Sequence, residues 1–139
     1  MENKSKPKIL MIEDDHFLSE IFRDKFEKAG FDVKIYEDGD NIVGKVIEEN
    51  PDIVTNDIIH PGTDGFEEIK LLKKDERTKP IPVMIITNLS QKEEIERGLS
   101  LGAVKYFISA NYTPSEIIQE FKDFLIKSKK FTENDFINP

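Results

Sequence analysis

The sequence lacks three features that would have pointed to particular classes of protein. It contains no cysteine among its 139 residues, which excludes disulfides and thiolate metal sites. It has no apolar run long enough to cross a membrane, and no apolar segment at the amino terminus that resembles a signal peptide. Positive charge is in deficit as well, because the formal net charge is −8. We therefore expect a cytoplasmic protein that binds neither membranes nor nucleic acid through a broad basic surface.

Acidic residues follow two apolar runs at the point where each run ends. The run from Ile9 to Ile12 is followed by Glu13, Asp14 and Asp15, and the run over 53–56 is followed by Asp57. In an open sheet with helices on both faces, ligands bind at the carboxyl ends of the strands. If these two strands are neighbours, their acids form one acidic pocket.

Such a pocket is unfavourable without a counter-charge. Two carboxylates about 5 Å apart repel by roughly 3 kcal/mol at an effective dielectric near 20. A hard divalent cation with oxygen ligands relieves this repulsion. Asp15 fits the N-cap of the following helix better than a ligand position, and a solvated strand end is the alternative interpretation of the whole acidic run.

The periodicity predicts five strands that alternate with five helices. The strands are expected at 9–12, 31–36, 53–56, 82–87 and 104–108. Gly30 is placed to end the first helix, Ser90 and Glu93 resemble a capping box for the fourth, and Thr113 and Glu116 resemble one for the fifth. Strict alternation predicts the α/β class: a doubly wound parallel five-stranded sheet with right-handed crossovers, covered by helices on both faces as a three-layer (βα)₅ domain.

The chain contains no internal repeat and no second domain. We expect one domain over residues 7–130, an N-terminal tail over 1–6 and a polar C-terminal tail over 131–139. The charged residues from Glu67 to Lys79 are interpreted as the solvated face of a helix and the loop after it.

The motifs along the chain resemble those of the response-regulator receiver domain, over nearly the whole length. The resemblance rests on Glu13-Asp14-Asp15, Pro51-Asp52 through Asp57, Pro61-Gly62-Thr63-Asp64-Gly65, Ile81-Pro82 through Thr87, and Gly102-Ala103 through Tyr106. The resemblance implies a flavodoxin-like fold with strand order 2-1-3-4-5, which brings the first and third strands together.

The same resemblance implies roles for individual residues. Asp57 matches the phosphoacceptor, whose carboxylate forms an aspartyl phosphate. The residues that match Mg²⁺ ligands are Glu13, Asp14, Asp57 and the backbone carbonyl of Ile59. Thr87 matches the hydroxyl that contacts the phosphoryl group, and Tyr106 matches the aromatic residue that moves when the domain switches, although a simple core position is the alternative for Tyr106.

Three positions depart from the family pattern. Ser109 stands where a lysine normally ends the fifth strand, so the cation that contacts the phosphoryl group is missing. Lys105 cannot replace it, since four residues of strand carry it about 13 Å towards the other edge of the sheet. His60 stands where methionine is usual and Asn56 where an aliphatic residue is usual; we interpret His60 as a loop-packing residue and have no account of Asn56.

Several functions remain open on this sequence. The first is a stand-alone, single-domain response regulator of a two-component phosphorelay, which is not itself an enzyme. A histidine kinase or phosphotransfer protein would phosphorylate it, and it would signal to a downstream protein through helix 4, strand 5 and helix 5. The second is a pseudo-receiver that binds partners independently of phosphorylation. A metal-dependent phosphohydrolase fits less well, because the second acid two residues after Asp57 is missing, and the acidic first loop disfavours flavin phosphate.

Overall fold

The computed structural model describes residues 6–60 and 62–137. Residues 1–5 of the expected N-terminal tail, Pro61 of the predicted Pro-Gly loop, and residues 138–139 lie outside the described residues. Five strands and five helices alternate as the sequence predicts. The strands are β1 Lys8–Ile12, β2 Asp32–Tyr36, β3 Ile53–Asn56, β4 Val83–Thr87 and β5 Lys105–Ile108. The helices are α1 His16–Lys28, α2 Ile42–Glu49, α3 Gly65–Lys74, α4 Lys92–Ser100 and α5 Pro114–Lys127, with short 3₁₀ turns at Ser109–Asn111 and Glu133–Asp135.

The strands form one parallel sheet in the order β2-β1-β3-β4-β5. The predicted doubly wound, flavodoxin-like α/β topology is therefore confirmed. In the register of β1 and β3, Ile12 lies opposite Asn56. The two strands thus end side by side, and the residues that follow them meet at the same edge of the sheet.

Apolar side chains fill a separate core on each face of the sheet. Along β1, Ile9 and Met11 point to the face covered by α1 and α5, while Leu10 and Ile12 point to the face covered by α2 and α3. Every residue of β4 is buried. Strands that are apolar on both sides have no solvated face, which is what helices on both sides of a parallel sheet require.

Helix ends follow local sequence signals with one displacement. Gly30, which follows the C-cap residue Ala29 of α1, has a φ of 99°, a conformation that favours glycine. Thr113 and Glu116 form the predicted capping box of α5. The predicted Ser90 box is wrong by one residue: Gln91 is the N-cap, and its N–H donates to the Glu94 carboxylate at 3.0 Å. An acid follows three residues after both positions, so the local pattern fits either start.

The C-terminal segment differs from the expected tail. Phe131 and Phe136 are each only 7% exposed and belong to the core under α1 and α5. The Phe136 ring lies 5.3 Å from that of Phe31, and the Ile137 N–H donates to the Ala29 carbonyl at 2.9 Å. The packed body therefore extends to Ile137 rather than ending near Lys130. Two apolar residues in an aperiodic polar stretch are enough to hold this segment against the domain, because both side chains pack into the core.

Candidate functional site

An acidic cleft lies at the carboxyl ends of β1 and β3. Its volume is about 330 Å³, and its lining residues are Glu13, Asp14, Asp15, Leu18, Asp57, Ile59 and Asn88. The four residues predicted to hold a metal, Glu13, Asp14, Asp57 and Ile59, are therefore brought together in one place. Asp15 has the cap role predicted for it, since its carboxylate accepts the N–H of Leu18 at 3.0 Å.

The charge of Glu13 is unfavourable in this cleft. Burial is the main cause that raises the pKa of Glu13 to about 7; the charges of Asp57, Asp14 and Asp15 contribute to this rise, and the Asp15 N–H that donates to its carboxylate at 3.1 Å opposes it. Like charges and partial desolvation both favour the neutral acid. Near neutral pH the cleft therefore holds carboxylates whose ionisation is opposed by their surroundings.

Asp57 lies in the same field but is better supported by hydrogen bonds. Burial raises its pKa, and the charge of Asp14 acts in the same direction. The N–H of Ile59, which donates to the Asp57 carboxylate at 3.0 Å, and the hydroxyl of Thr87 lower its pKa. Thr87 is only 1% exposed at the end of β4. The structure thus places the predicted Thr87 hydroxyl directly on the predicted phosphoacceptor.

The donor set of the cleft fits a hard cation. Carboxylate oxygens are the ligands that Mg²⁺ prefers, and a cation would relieve the repulsion that raises the pKa of Glu13. Within residues 6–60 and 62–137, no three His, Cys, Asp or Glu side chains have already converged into a metal-binding group. The Glu13 and Asp57 carboxylates instead accept backbone N–H groups of Asp15 and Ile59.

Tyr106 and Ser109, on and just after β5, contact the loop beside the acidic cleft and not the acids themselves. The Tyr106 hydroxyl donates to the Leu89 carbonyl at 2.7 Å. Burial, followed by the charges of Glu94 and Asp57, raises the pKa of Tyr106 to about 12. The Ser109 hydroxyl donates to the side-chain oxygen of Asn88 at 2.6 Å. Both contacts reach the loop that follows Thr87, so this loop connects β5 to the cleft.

Among the residues that the structure describes, no basic side chain lines the cleft. Lys105, at the start of β5, pairs with Glu120 at 2.6 Å. This is consistent with its predicted distance from the pocket. No basic side chain in the described lining therefore takes the place of the lysine that the resemblance predicts at position 109.

A buried polar network that the sequence did not predict lies beside the cleft. Glu68, on α3, is fully buried, and its Oε1 atom accepts the side-chain N–H of Asn56 at 2.9 Å and contacts Nε2 of His60 at 2.9 Å. The side chain of His60 is fully buried as well. Within the described part of the chain, Asn56 Oδ1 and Glu68 Oε2 have no hydrogen-bond partner. The network joins β3, the loop after it and α3.

This network corrects the interpretation of Glu68 and explains Asn56. Glu68 does not lie on the solvated face of its helix; it lies on the buried face, four residues before Leu72 and three after Gly65. The position of Glu68 on the apolar stripe of α3 was the signal in the sequence that its side chain is buried. An amide in the middle of an apolar strand and a carboxylate on an apolar stripe are each anomalous alone, and together they suggest a hydrogen-bonded pair. His60 packs in its loop, as interpreted, but on a carboxylate.

Comparisons with known proteins agree with this geometry. The sequence profile of the response regulator receiver domain matches residues 9–122. The chain is 35% identical over 115 residues to the phosphate regulon transcriptional regulatory protein PhoB of Klebsiella pneumoniae, which covers 83% of this chain and 50% of that protein. It is 36% identical over 100 residues to the DNA-binding dual master transcriptional regulator RpaA of Synechocystis, covering 72% of this chain and 42% of that protein. The chain thus spans about half the length of these curated relatives.

Among solved structures, the BeF₃-activated N-terminal receiver domain of RstA from Klebsiella pneumoniae superposes with a TM-score of 0.78 at 25% identity, covering 85% of this chain and 97% of that one. Across residues 6–60 and 62–137, no helix has the length and apolar character needed to span a membrane. With the profile match over most of its length and the fold to support it, the chain belongs to the response regulator receiver domain family, the receiver domain of two-component signalling.

Proposed function

We propose that this receiver domain accepts a phosphoryl group on Asp57 with Mg²⁺ bound in the acidic cleft, and that it signals by contact with another protein. A histidine kinase or a phosphotransfer protein would supply the phosphoryl group, and the domain would act in the cytoplasm. The observation that carries the proposal is the position of Asp57: its carboxylate lies in a cleft with Glu13 and Asp14 and is hydrogen-bonded by the hydroxyl of Thr87.

Phosphoryl transfer requires the protein mainly to position the reacting groups and to stabilise negative charge. A carboxylate oxygen of Asp57 forms a bond to phosphorus while the bond from phosphorus to the donor's nitrogen or oxygen breaks, and the donor atom leaves with the electron pair. Mg²⁺, when bound by Glu13, Asp14, Asp57 and the Ile59 carbonyl, supplies positive charge against the developing negative charge on the phosphoryl oxygens. Thr87 holds Asp57 in place through its hydroxyl and then donates to the phosphoryl group.

The output surface would be formed by α4, β5 and α5. What supports it is the contact of Tyr106 with both sides: its hydroxyl bonds the Leu89 carbonyl after β4, and its ring packs against α4 so closely that a Cβ at Gly98 would lie 3.1 Å from a ring carbon. A change in the loop that follows Thr87 would therefore move a side chain that contacts α4. Leu99, on α4, is 44% exposed, which offers a partner apolar area.

Intact-mass measurement after incubation with acetyl phosphate and Mg²⁺ tests the acceptor. We expect one added phosphoryl group on the wild type and none on Asp57→Ala. Asp52→Ala is the matched control, because Asp52 lies just before the opposite end of the same strand. Mg²⁺ titration should give measurable binding to the wild type and much weaker binding to Asp14→Ala. Modification that persists in Asp57→Ala would show that another residue is the acceptor.

Ser109 favours a second candidate function, a pseudo-receiver that binds its partner without phosphorylation. The Ser109 hydroxyl, on a one-carbon stem, bonds Asn88 rather than reaching towards Asp57. If the wild type takes no phosphoryl group from any small donor or from a cognate kinase, this second function replaces the first. In that case Asp57→Ala should bind the downstream protein as tightly as the wild type does.

A further inference from the structure

Among the described residues that line the cleft, Asn88 has a neutral side chain that is able to donate a hydrogen bond. Asn88 lines the cleft together with Glu13, Asp14 and Asp57. It directly follows Thr87, the residue whose hydroxyl bonds the Asp57 carboxylate. Asn88 therefore borders the cleft in which a phosphoryl group on Asp57 would lie.

The contact with Ser109 determines which end of the Asn88 amide is available. The Ser109 hydroxyl donates to Asn88 Oδ1 at 2.6 Å, and within the described part of the chain the Asn88 side chain makes no other hydrogen bond. Because its oxygen is engaged by the hydroxyl, the Nδ2 group keeps both of its N–H donors. An amide fixed in this way presents donors only.

The backbone on both sides of Asn88 is held. Thr87 is buried at the end of β4, and its hydroxyl oxygen also accepts the Leu89 N–H at 3.4 Å. The Leu89 carbonyl accepts the Tyr106 hydroxyl at 2.7 Å. Asn88 is thus fixed at its backbone by two neighbours and at its side chain by Ser109, which limits the conformational freedom that binding an anion would otherwise cost.

We propose that the Asn88 side-chain amide donates a hydrogen bond to the phosphoryl group on Asp57, and that Ser109 is the positioning residue that orients this amide. The inference rests on the proposed phosphorylation of Asp57. The Asn88–Ser109 pair then supplies, with a neutral donor, the contact that a lysine ammonium makes in other members of the family. A neutral hydrogen bond is about half as strong as a charge-assisted one, so the pair holds the phosphoryl group more weakly.

Beryllofluoride, a phosphoryl mimic, tests the contact without a chemical step. With saturating Mg²⁺, we expect Asn88→Ala to weaken beryllofluoride binding about fivefold, which corresponds to one neutral hydrogen bond. Asn88→Asp should weaken it further, because a carboxylate repels the anion. Asn111→Ala is the matched control: Asn111 is an exposed asparagine in the same 3₁₀ turn as Ser109, and we expect it to bind as the wild type does.

The positioning role of Ser109 has its own readout. Ser109→Ala should weaken beryllofluoride binding about threefold, whereas Ser109→Thr, which keeps the hydroxyl, should restore it. Binding of Mg²⁺ alone should stay within about twofold of wild type in Asn88→Ala, Ser109→Ala and Ser109→Thr, since none of these changes adds or removes a metal ligand in this proposal. A general loss of structure would lower Mg²⁺ and beryllofluoride binding together.

A lysine at position 109 gives the most specific test. In a Ser109→Lys background the ammonium should supply the contact, so that Asn88→Ala then changes beryllofluoride affinity by less than about twofold. Wild-type affinity in Asn88→Ala, with the wild type itself binding beryllofluoride, overturns the inference and leaves the proposed function standing. Failure of the wild type to bind beryllofluoride in the presence of Mg²⁺ overturns both.

Discussion

The acidic cleft and the buried network place carboxylates in opposite environments, although the two regions are connected through neighbouring residues of the chain, Asp57 in the cleft and Asn56 in the network. Asp57 opens into the cleft, where its neighbour Glu13 has a pKa raised to about 7 by burial and by other acids. Asn56, one residue earlier, points to the other side of β3 and donates to Glu68, which also contacts His60. The carboxylates of Glu13 and Asp57 face like charges, whereas the carboxylate of Glu68 faces hydrogen-bond donors.

This difference separates carboxylates kept for a ligand from those kept for structure. Like-charge repulsion is tolerated in the cleft because it opens to solvent, where a cation is able to enter and relieve it. No cation from solvent reaches Glu68, whose side chain is fully buried, so its stabilisation has to come from protein donors. We therefore expect substitutions in the network to change stability, and substitutions in the cleft to change chiefly metal and phosphoryl binding.

Removal of the buried carboxylate should have the largest effect on stability. Glu68→Ala removes the acceptor of the Asn56 N–H and of His60 Nε2 and leaves a cavity on a closed face, and we expect it to lower the free energy of unfolding by about 3 kcal/mol. Urea denaturation measures this. Glu67→Ala is the matched control, since Glu67 is the preceding, exposed residue of α3. Equal denaturation midpoints for the two variants would show that the network contributes no net stability.

A side chain at position 39 that overlaps the Glu68 carboxylate should have the next largest effect on stability. Gly39, in the loop after β2, packs so closely on Glu68 that a Cβ at position 39 would overlap the carboxylate. Because hydrogen bonds to Asn56 and His60 hold that carboxylate, we expect Gly39→Ala to cost about 2 kcal/mol of unfolding free energy. In a Glu68→Ala background the same change should cost much less, since the overlapping atoms are gone. A double-mutant cycle in urea measures the coupling, and additive costs would show that Gly39 is needed for another reason.

The cleft should give the smallest change in stability, with a sign that depends on pH. Since the pKa of Glu13 rises from its ordinary value of 4.5 to about 7 in the folded state, its neutral form is favoured by folding. Its contribution to stability is therefore fully present below about pH 4.5 and is lost as the pH rises through 7. In the absence of metal, we expect the wild type to lose about 1 kcal/mol relative to Glu13→Gln over this window, after screening by solvent.

Two further measurements sharpen the result for Glu13. Addition of Mg²⁺ should remove most of the pH-dependent difference between the wild type and Glu13→Gln, because the cation favours the ionised form that folding otherwise opposes. In Glu67→Gln, which changes an exposed acid, the pH dependence should match that of the wild type. A difference between the wild type and Glu13→Gln that grows as the pH falls would contradict the direction of the pKa shift.

Local signals in the sequence were sufficient for the α/β class, and the family resemblance supplied the strand order that locates the cleft. Apolar runs that end in acids place Glu13, Asp14 and Asp57 at the carboxyl ends of their strands, and the implied order makes these two strands neighbours, so that the acids meet at one edge. The Thr113 cap of α5 is equally local, since its partner Glu116 is three residues away. Residues whose surroundings are set by their own strand or turn are therefore predictable from the sequence.

Tertiary structure alone decided the surroundings of the residues whose partners come from other elements. Glu68 is buried because α3 turns it towards Asn56 and His60, which are 12 and 8 residues away in the chain. Phe131 and Phe136 join the core because α1, β2 and α5 leave a place for them, although the segment around them has no periodicity. The donor face of Asn88 depends on Ser109, 21 residues further along. A sequence pattern records which side chains are apolar or charged, but a hydrogen bond between distant residues exists only after the elements have packed.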